Sequence, residues 1–412
     1  MSFIKGNAVV GQSGGPTAAI NATLSGVIRG ALRAKDEGAI GTLYGMRNGI
    51  EGFLREDLVD LFRVFDSEDK LRTLESTPAA ALGSCRKKLK SHTEDGETYA
   101  RVLDVLVKYD IRYFFYIGGN DSMDTVLKLS DYANSHGHRI FVVGVPKTID
   151  NDLMATDHTP GFGSAAKFVA TVMKEIHRDV SVYKMKAVTV VEIMGRDAGW
   201  LTASAALTKL SGGISPDLIY LPESVFDLDR FVDDVNACLN DHPAVLVAVS
   251  EGVRFSDGRY VGEGTQSGAT DAFGHKYLAG AGKVLEEIIR QRIGCKVRSV
   301  ELSLTQRCAS HIASLTDITE SVGVGSHAVQ MAISGATGIM VTIERNAGDV
   351  YSVSYGHADI RGIANAIKGV PTEYINEAGN GITDAGLEYL APLIIGELSA
   401  EYENGLPKHF II

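Results

Sequence analysis

The sequence predicts an α/β protein of two αβ lobes with mostly parallel central sheets and a ligand site in the cleft between them. Three observations carry this reading. Short Val- and Ile-rich runs alternate with stretches of helical spacing along most of the chain. The runs are continuously apolar, as strands covered on both faces by helices must be. Run after run also ends in Gly, Asp, Lys, Arg or Glu, which places the polar residues beyond the carboxyl ends of parallel strands, where open α/β sheets bind ligands.

In chain order, Ala8 to Gly11 ends the first strand, and Ile20, Leu24, Val27 and Ile28 then mark a helix. Tyr113 to Ile117 is a strand that stops at Gly118-Gly119. Ile140 to Val145 stops at Pro146. Ala187 to Ile193 runs into Met194-Gly195-Arg196, and Ala244 to Val249 into Ser250-Glu251-Gly252. Ile339 to Ile343 is a later strand. Residues 256–280, rich in Gly, Ser and polar groups, read as a long loop or insertion. One polar strand end means little; five or six imply a single cleft fed by two sheets. A length of 412 residues suits two domains, or one large α/β unit with an embedded second lobe.

Composition removes several function classes. The net charge of −11 argues against nucleic acid, whose phosphates call for gathered positive charge, while leaving room for a local basic pocket. No apolar run approaches the ~18 residues of a spanning helix, and the amino terminus lacks signal-peptide character, so no membrane partner is expected. Cys85, Cys238, Cys295 and Cys308 are widely spaced with no C-x-x-C pair, which fits a reducing cytoplasm. The sequon Asn21-Ala22-Thr23 carries no meaning without secretion.

Three clusters hold chemistry. Gly11-Gln12-Ser13-Gly14-Gly15-Pro16-Thr17 joins a strand to a helix, and its glycines let backbone amides approach an anion. Read alone, it serves equally well as a tight βα turn. It lacks the Gly-Lys-Ser/Thr of a P-loop. Gly118-Gly119-Asn120-Asp121-Ser122 offers amides and oxygens for phosphate or Mg2+, yet Asn, Asp and Ser also make ordinary helix caps. Pro146-Lys147-Thr148-Ile149-Asp150-Asn151-Asp152 packs two carboxylates, an amide, a hydroxyl and an ammonium into seven residues, more than a turn requires. A carboxylate beside a lysine suits phosphoryl transfer: one takes a hydroxyl proton, the other holds the donor. Gly161-Phe162-Gly163-Ser164-Ala165-Ala166 matches a loose G-x-G-x-x-A, but it follows a polar loop and reads as a helix entry, not a nicotinamide site.

Taken in order with Met194-Gly195-Arg196, these clusters resemble the phosphofructokinase family over about Gly11 to Arg307. The resemblance implies that Asp150 is the general base for the sugar 1-hydroxyl and that Asp152 orients the reacting groups. Thr148, Met194, Gly195 and Arg196 would hold the sugar phosphate, Glu251 would accept from sugar hydroxyls, and Arg298 and Arg307 would clamp the 6-phosphate. Arg298 is the candidate to act across a subunit interface, since relatives form homodimers or homotetramers. The implied division places a donor lobe in residues 1–160 and about 308–370, a sugar-phosphate lobe in 161–307, and a C-terminal segment, 371–412, packed on both.

Two positions point to pyrophosphate over ATP. ATP-using relatives have glycine where this chain has Asp121 and Lys147. The Asp121 carboxylate fills and charges the space of an α-phosphate, and Lys147 sets a cation at the transferring phosphoryl. Gly14, Gly15, Gly119, Ser122 and Arg86 complete the implied donor site, though Arg86 serves equally well as a subunit contact. Mg2+ is the implied cofactor, with Asn120 and Asp121 as its protein ligands; Asn120 stands where the family usually has an aspartate, which leaves Asp150 and pyrophosphate itself as further ligands. Leu304 and Cys308-Ala309-Ser310 also depart from the pattern, which bears on sugar specificity and leaves sedoheptulose 7-phosphate as a side substrate. The expected reaction is reversible transfer from pyrophosphate to fructose 6-phosphate. An ATP-dependent kinase of the same fold, a silent regulatory subunit and a non-catalytic anion-binding module are the rivals. Asp121 and Lys147 oppose the first, the intact Asp150, Asp152, Arg196 and Glu251 the second, and the acidic cluster the third.

Overall fold

The computed structural model describes residues 4–182, 184–212, 215–263 and 280–412. Most of the loop read at 256–280, from 264 to 279, lies outside the described residues. Eleven strands form the two main sheets: β1 (Gly6–Gln12), β2 (Ile40–Met46), β3 (Leu58–Asp60), β4 (Ile111–Gly118), β5 (Phe141–Pro146), β6 (Ala187–Ile193), β7 (Leu218–Tyr220), β8 (Ala244–Ser250), β9 (Lys296–Glu301), β10 (Ile339–Arg345) and β11 (Val353–Asp359). The first sheet runs β11-β10-β5-β4-β1-β2-β3, and the second β7-β8-β6-β9. Pairing is parallel except at the two edges of the first sheet, where β3 and β11 return antiparallel. The fold expectation of two αβ lobes on mostly parallel sheets holds.

The continuously apolar strands have the predicted cause. On β1, β4 and β5, residues Ala8, Val10, Phe115, Ile117, Val143 and Val145 enter one core, while the intervening Val9, Phe114, Tyr116 and Val142 enter the core on the opposite face. On β6 and β8, Val191, Ile193, Leu246 and Ala248 face one core and Val188, Val190, Val245 and Val247 the other. Strands the sequence concealed are those without such runs. Lys296–Glu301 (β9) is an edge strand of alternating exposure, and β7 has only three residues.

Five helices matter for the site: α1 (Ile20–Asp36), α2 (Asn120–Ser135), α3 (Phe162–Val180), α4 (Ala281–Arg292) and α5 (Leu315–Ile333). The G-x-G-x-x-A segment does open a helix, α3. Its amino terminus is already satisfied, because the buried Asp317 carboxylate of α5 accepts from the N–H groups of Gly161 (2.8 Å) and Ser164 (2.9 Å). An anion already supplied by the chain occupies the place a dinucleotide phosphate would take.

The chain changes lobes repeatedly. It builds most of the first sheet, crosses to the second through α3, returns through α5 to β10 and β11, and crosses again so that Leu387, Leu390 and Leu393 join the second lobe's core. Phe410 then packs on Phe65 of the first lobe at 4.8 Å. No helix among the described residues is long and apolar enough to cross a membrane.

The first lobe depends on a close crossing of α1 and α5. A Cβ on Gly26 would lie 2.1 Å from the Val322 carbonyl oxygen, and one on Gly325 would lie 2.2 Å from that of Thr23. Gly to Ala in an ordinary helix gains about 1 kcal/mol. Here Gly26→Ala is expected to lose about 1–3 kcal/mol by forcing the helices apart. Thermal unfolding reads the sign, and a raised Tm would show that this contact does not set the helix spacing.

Candidate functional site

The carboxyl ends of strands from both sheets open onto one cavity of about 420 Å³. Its wall includes Gly14, Gly15, Arg86, Gly119, Asn120, Asp121, Ser122, Lys147, Thr148, Asp150, Asp152, Met194, Arg196, Glu251 and Arg307. The loops after β1, β4 and β5 come from the first lobe, and those after β6 and β8 from the second.

Each loop is held by a specific contact. Gly14 has φ 76°, in the left-handed region, and a Cβ there would lie 3.4 Å from Lys147 Nζ. Lys147 Nζ donates to the Gly15 carbonyl at 2.5 Å, and Ser122 Oγ donates to Ser13 Oγ at 3.0 Å. The β1 turn is thus tied both to the β5 loop and to the start of α2. A Cβ on Gly15 would lie 3.3 Å from Arg307 Nη1, so Arg307 reaches across to the same turn. Thr148 Oγ1 accepts from the Asp150 N–H at 3.1 Å and fixes the turn that aims the carboxylate.

On the opposite wall, Gly195 has φ 140°, and a Cβ would meet the Ala198 carbonyl oxygen at 2.6 Å, so glycine is required there. Its side-chain-free backbone does not line the cavity, but its N–H donates to Glu251 Oε1 at 3.3 Å. The buried Gln306 accepts from the Met194 N–H at 3.2 Å, linking the end of β6 to the turn that carries Arg307.

The structure does not bring Arg298 into the cavity. It pairs with Thr189 in the β6–β9 ladder, and its residue is exposed on the edge strand. Conversely, Lys88, Asp197, Asn365 and Ile367 line the cavity without having been singled out. Lys88 makes an ion pair with Asp121 at 3.2 Å. The basic run Arg86-Lys87-Lys88 was its only signal. Asn365 and Ile367 follow no recognisable motif.

Charge in the cavity is strongly perturbed. Burial pulls the Lys147 ammonium down to about 8, with Asp150 opposing and Arg307 adding to the fall. Burial raises the Asp150 carboxyl, while Lys147 and Arg196 resist. Asp152 is raised by burial and then by its neighbour Asp150. Burial lifts Glu251 to about 7 against the Gly195 N–H, which favours the charged form. Burial and the nearby Arg86 lower Arg307. Desolvated acids and a desolvated lysine facing one another are what proton transfer beside a phosphoryl group requires.

Among the described residues, no group of three or more His, Cys, Asp or Glu is gathered for a metal. Asn120 Oδ1 is nonetheless buried without a hydrogen-bond partner, while its Nδ2 donates to the Ala366 carbonyl at 3.0 Å. With the Asp121 carboxylate next to it, the chain offers at most a partial set of hard oxygen donors. That suits Mg2+, which commonly keeps waters and takes substrate phosphate oxygens.

The family model Phosphofructokinase matches residues 7–332. The chain is 41% identical over 404 residues to the pyrophosphate–fructose 6-phosphate 1-phosphotransferase of Halomonas elongata, covering 98% of this chain and 95% of that protein. It is 42% identical over 405 residues to the protein of the same name from Methylococcus capsulatus, with the same coverage. The crystal structure of a pyrophosphate-dependent phosphofructokinase from Nitrosospira multiformis superposes with a TM-score of 0.87 at 39% identity, covering 98% of this chain and 96% of that one.

Glu251 gives a pH test. Its folded carboxyl at about 7 stands above the ordinary 4.5, so the folded state holds a proton that the unfolded chain has released between those values. The resulting stability is present below about pH 4.5 and is lost as pH rises through 7. Glu251→Gln should therefore match the parent Tm near pH 5 and exceed it by roughly 2–5 °C at pH 8. A constant Tm difference across this range would rule out a raised Glu251.

Proposed function

The chain belongs to the phosphofructokinase family, and we infer that it moves a phosphoryl group from pyrophosphate to the 1-hydroxyl of fructose 6-phosphate, giving fructose 1,6-bisphosphate and phosphate. One observation carries the choice of donor. Asp121 and Lys147, beyond the ends of the adjacent strands β4 and β5, line the same cavity. One fills and charges the space next to the other's cation.

In this reading Asp150 takes the proton of the 1-hydroxyl. Lys147 and Arg196 favour its charged form, and the Thr148 hydroxyl holds its backbone. Lys147 stabilises charge on the transferring phosphoryl, and Asp152 orients the reacting groups. Gly14, Gly15, Gly119, Ser122 and Arg86 bind the donor. Thr148, Met194, Arg196 and Glu251 bind the sugar, with Gly195 holding Glu251 through its N–H and Arg307 on the sugar phosphate. Residues 1–160 and about 308–370 thus serve the donor, and 161–307 the sugar phosphate. Arg298, exposed on β9, is free to serve the site of a neighbouring copy in a dimer or tetramer.

Asn120 and Asp121 would hold Mg2+, which when bound neutralises charge on pyrophosphate oxygens. The four thiols, all unpaired, suit a cytoplasmic setting. The transfer is reversible in this reading, because pyrophosphate and the sugar bisphosphate have comparable phosphoryl-transfer potential.

Assay of both donors tests the conclusion: pyrophosphate should support turnover and ATP should not. Lys147→Gly is expected to lower kcat with pyrophosphate by about 10²-fold or more. Turnover with ATP alone, or an unchanged kcat in the variant, overturns the roles of Asp121 and Lys147.

The lysine also sets a pH limit. With its pKa at about 8 in the free protein, Lys147 loses its charge as pH rises through that value. The kcat/KM for pyrophosphate should fall on the alkaline side with a midpoint near 8. In Lys147→Arg, whose charge persists, that limb should move up by at least a unit.

A further inference from the structure

A strap of residues 363–370 crosses the cleft, beyond the family match that ends at 332. It leaves the first lobe at Ile363, within the core that holds Val142 and Met123, and enters the second lobe's core at Val370. Its backbone binds both sides. The Ala366 carbonyl accepts from Asn120 Nδ2 at 3.0 Å, and the Lys368 N–H donates to the Asp152 carbonyl at 2.8 Å. The Lys368 carbonyl accepts from Trp200 Nε1 at 2.9 Å. The Val370 N–H donates at 2.8 Å to Glu223 Oε1, which also accepts from the Gly199 N–H at 2.9 Å.

The Lys368 side chain turns beneath the loop that carries Asp150 and Asp152. Its Nζ donates to the carbonyls of Asp157 (2.7 Å) and Thr156 (3.0 Å) and to Asn151 Oδ1 (3.4 Å). All three acceptors are neutral. Asn151, fully buried between the two aspartates, has φ 53°, a left-handed conformation that costs energy outside glycine. Its Nδ2 donates to the Tyr389 hydroxyl at 3.1 Å. Both ends of the Asn151 amide are therefore held from behind, one by the strap and one by the C-terminal segment. Burial works against the Lys368 charge, and the Asp157 and Asp152 carboxylates favour it.

We propose that Lys368 is a positioning residue for phosphoryl transfer: by gripping Asn151 it fixes the turn that aims Asp150 and Asp152. The proposal rests on the phosphotransferase reading of the cleft. Lys368 touches neither substrate, so its loss should act on the placement of the base and leave binding in place. Displacement of a reacting group by about 1 Å can cost about 10²-fold in rate.

The test compares Lys368→Met, Asn151→Gly and the double variant, reading kcat, both KM values and Tm. Asn151→Gly keeps the left-handed backbone accessible and removes both amide contacts, to Lys368 and to Tyr389. Each single variant should lower kcat by about 10–100-fold with both KM values within about 3-fold. The double variant should fall no more than about 3-fold below the worse single one, because both act along one path. Multiplying losses, an effect on KM alone, or an unchanged kcat overturns the proposal. If Lys368→Met does not fold, Lys368→Gln is read by the same kcat and KM criteria. Parent turnover with ATP in place of pyrophosphate would overturn the donor reading, and the same variants then test Lys368 with ATP. A parent inert with both donors overturns the phosphotransferase reading and the role of Lys368 with it.

Discussion

Lys147 and Asp150 share one desolvated space, and the rest of the cleft is built to keep them there. Burial drives each toward its neutral form, and each opposes that drive in the other. An isolated charge in such a place would be costly, whereas a pair with further hydrogen bonds is tolerated. The Gly15 carbonyl accepts from the lysine, and the Thr148 hydroxyl supports the aspartate's backbone. Removing either charge leaves the other unbalanced, so the two positions function as a unit.

That arrangement follows from sheet geometry. Parallel strands send all their carboxyl ends to one side, so loops distant in sequence meet without long connections. The β1 turn, the start of α2 and the β5 loop touch through Ser13, Ser122, Lys147 and Gly15 because β1, β4 and β5 are neighbours in that order. The second sheet supplies Arg196 and Glu251 in the same way from β6 and β8. Each lobe lends a different set of strand ends to the same cavity.

Legibility in the sequence tracked burial on both faces and density of polar groups. Strands covered on both sides announced themselves as apolar runs, as Ala244 to Val249 of β8 shows. The edge strand β9 did not, because its burial alternates. Asp150 and Lys147 were visible because five functional groups crowd seven positions. Lys88 was harder, since its partner Asp121 lies 33 positions away and the ion pair exists only in space. Asn365 and Ile367 gave no local signal: they reach the cavity because a strap anchored at Ile363 and Val370 must pass over it. Asp317 belongs to the same class, a helix cap delivered from another helix.

Donor choice in this cavity is a matter of balance as much as of blocking. The chain is acidic overall, at −11, yet the wall sets Arg86, Lys88, Lys147, Arg196 and Arg307 against Asp121, Asp150, Asp152, Asp197 and Glu251. Burial raises Asp152 and Glu251 to about 7, so those two acids are only partly charged at neutral pH. With five cations among its acids the wall is less negative than the protein around it, although burial also lowers Lys147 and Arg307. A compact, highly charged donor with no base to grip can draw its binding energy from such a field. Lys88 adds a second effect. By pairing with Asp121 it offsets that carboxylate's repulsion of a nearby phosphate while leaving its bulk in place. Asp121 thus keeps its bulk at the cavity wall with its charge offset by Lys88, which a lone aspartate could not do.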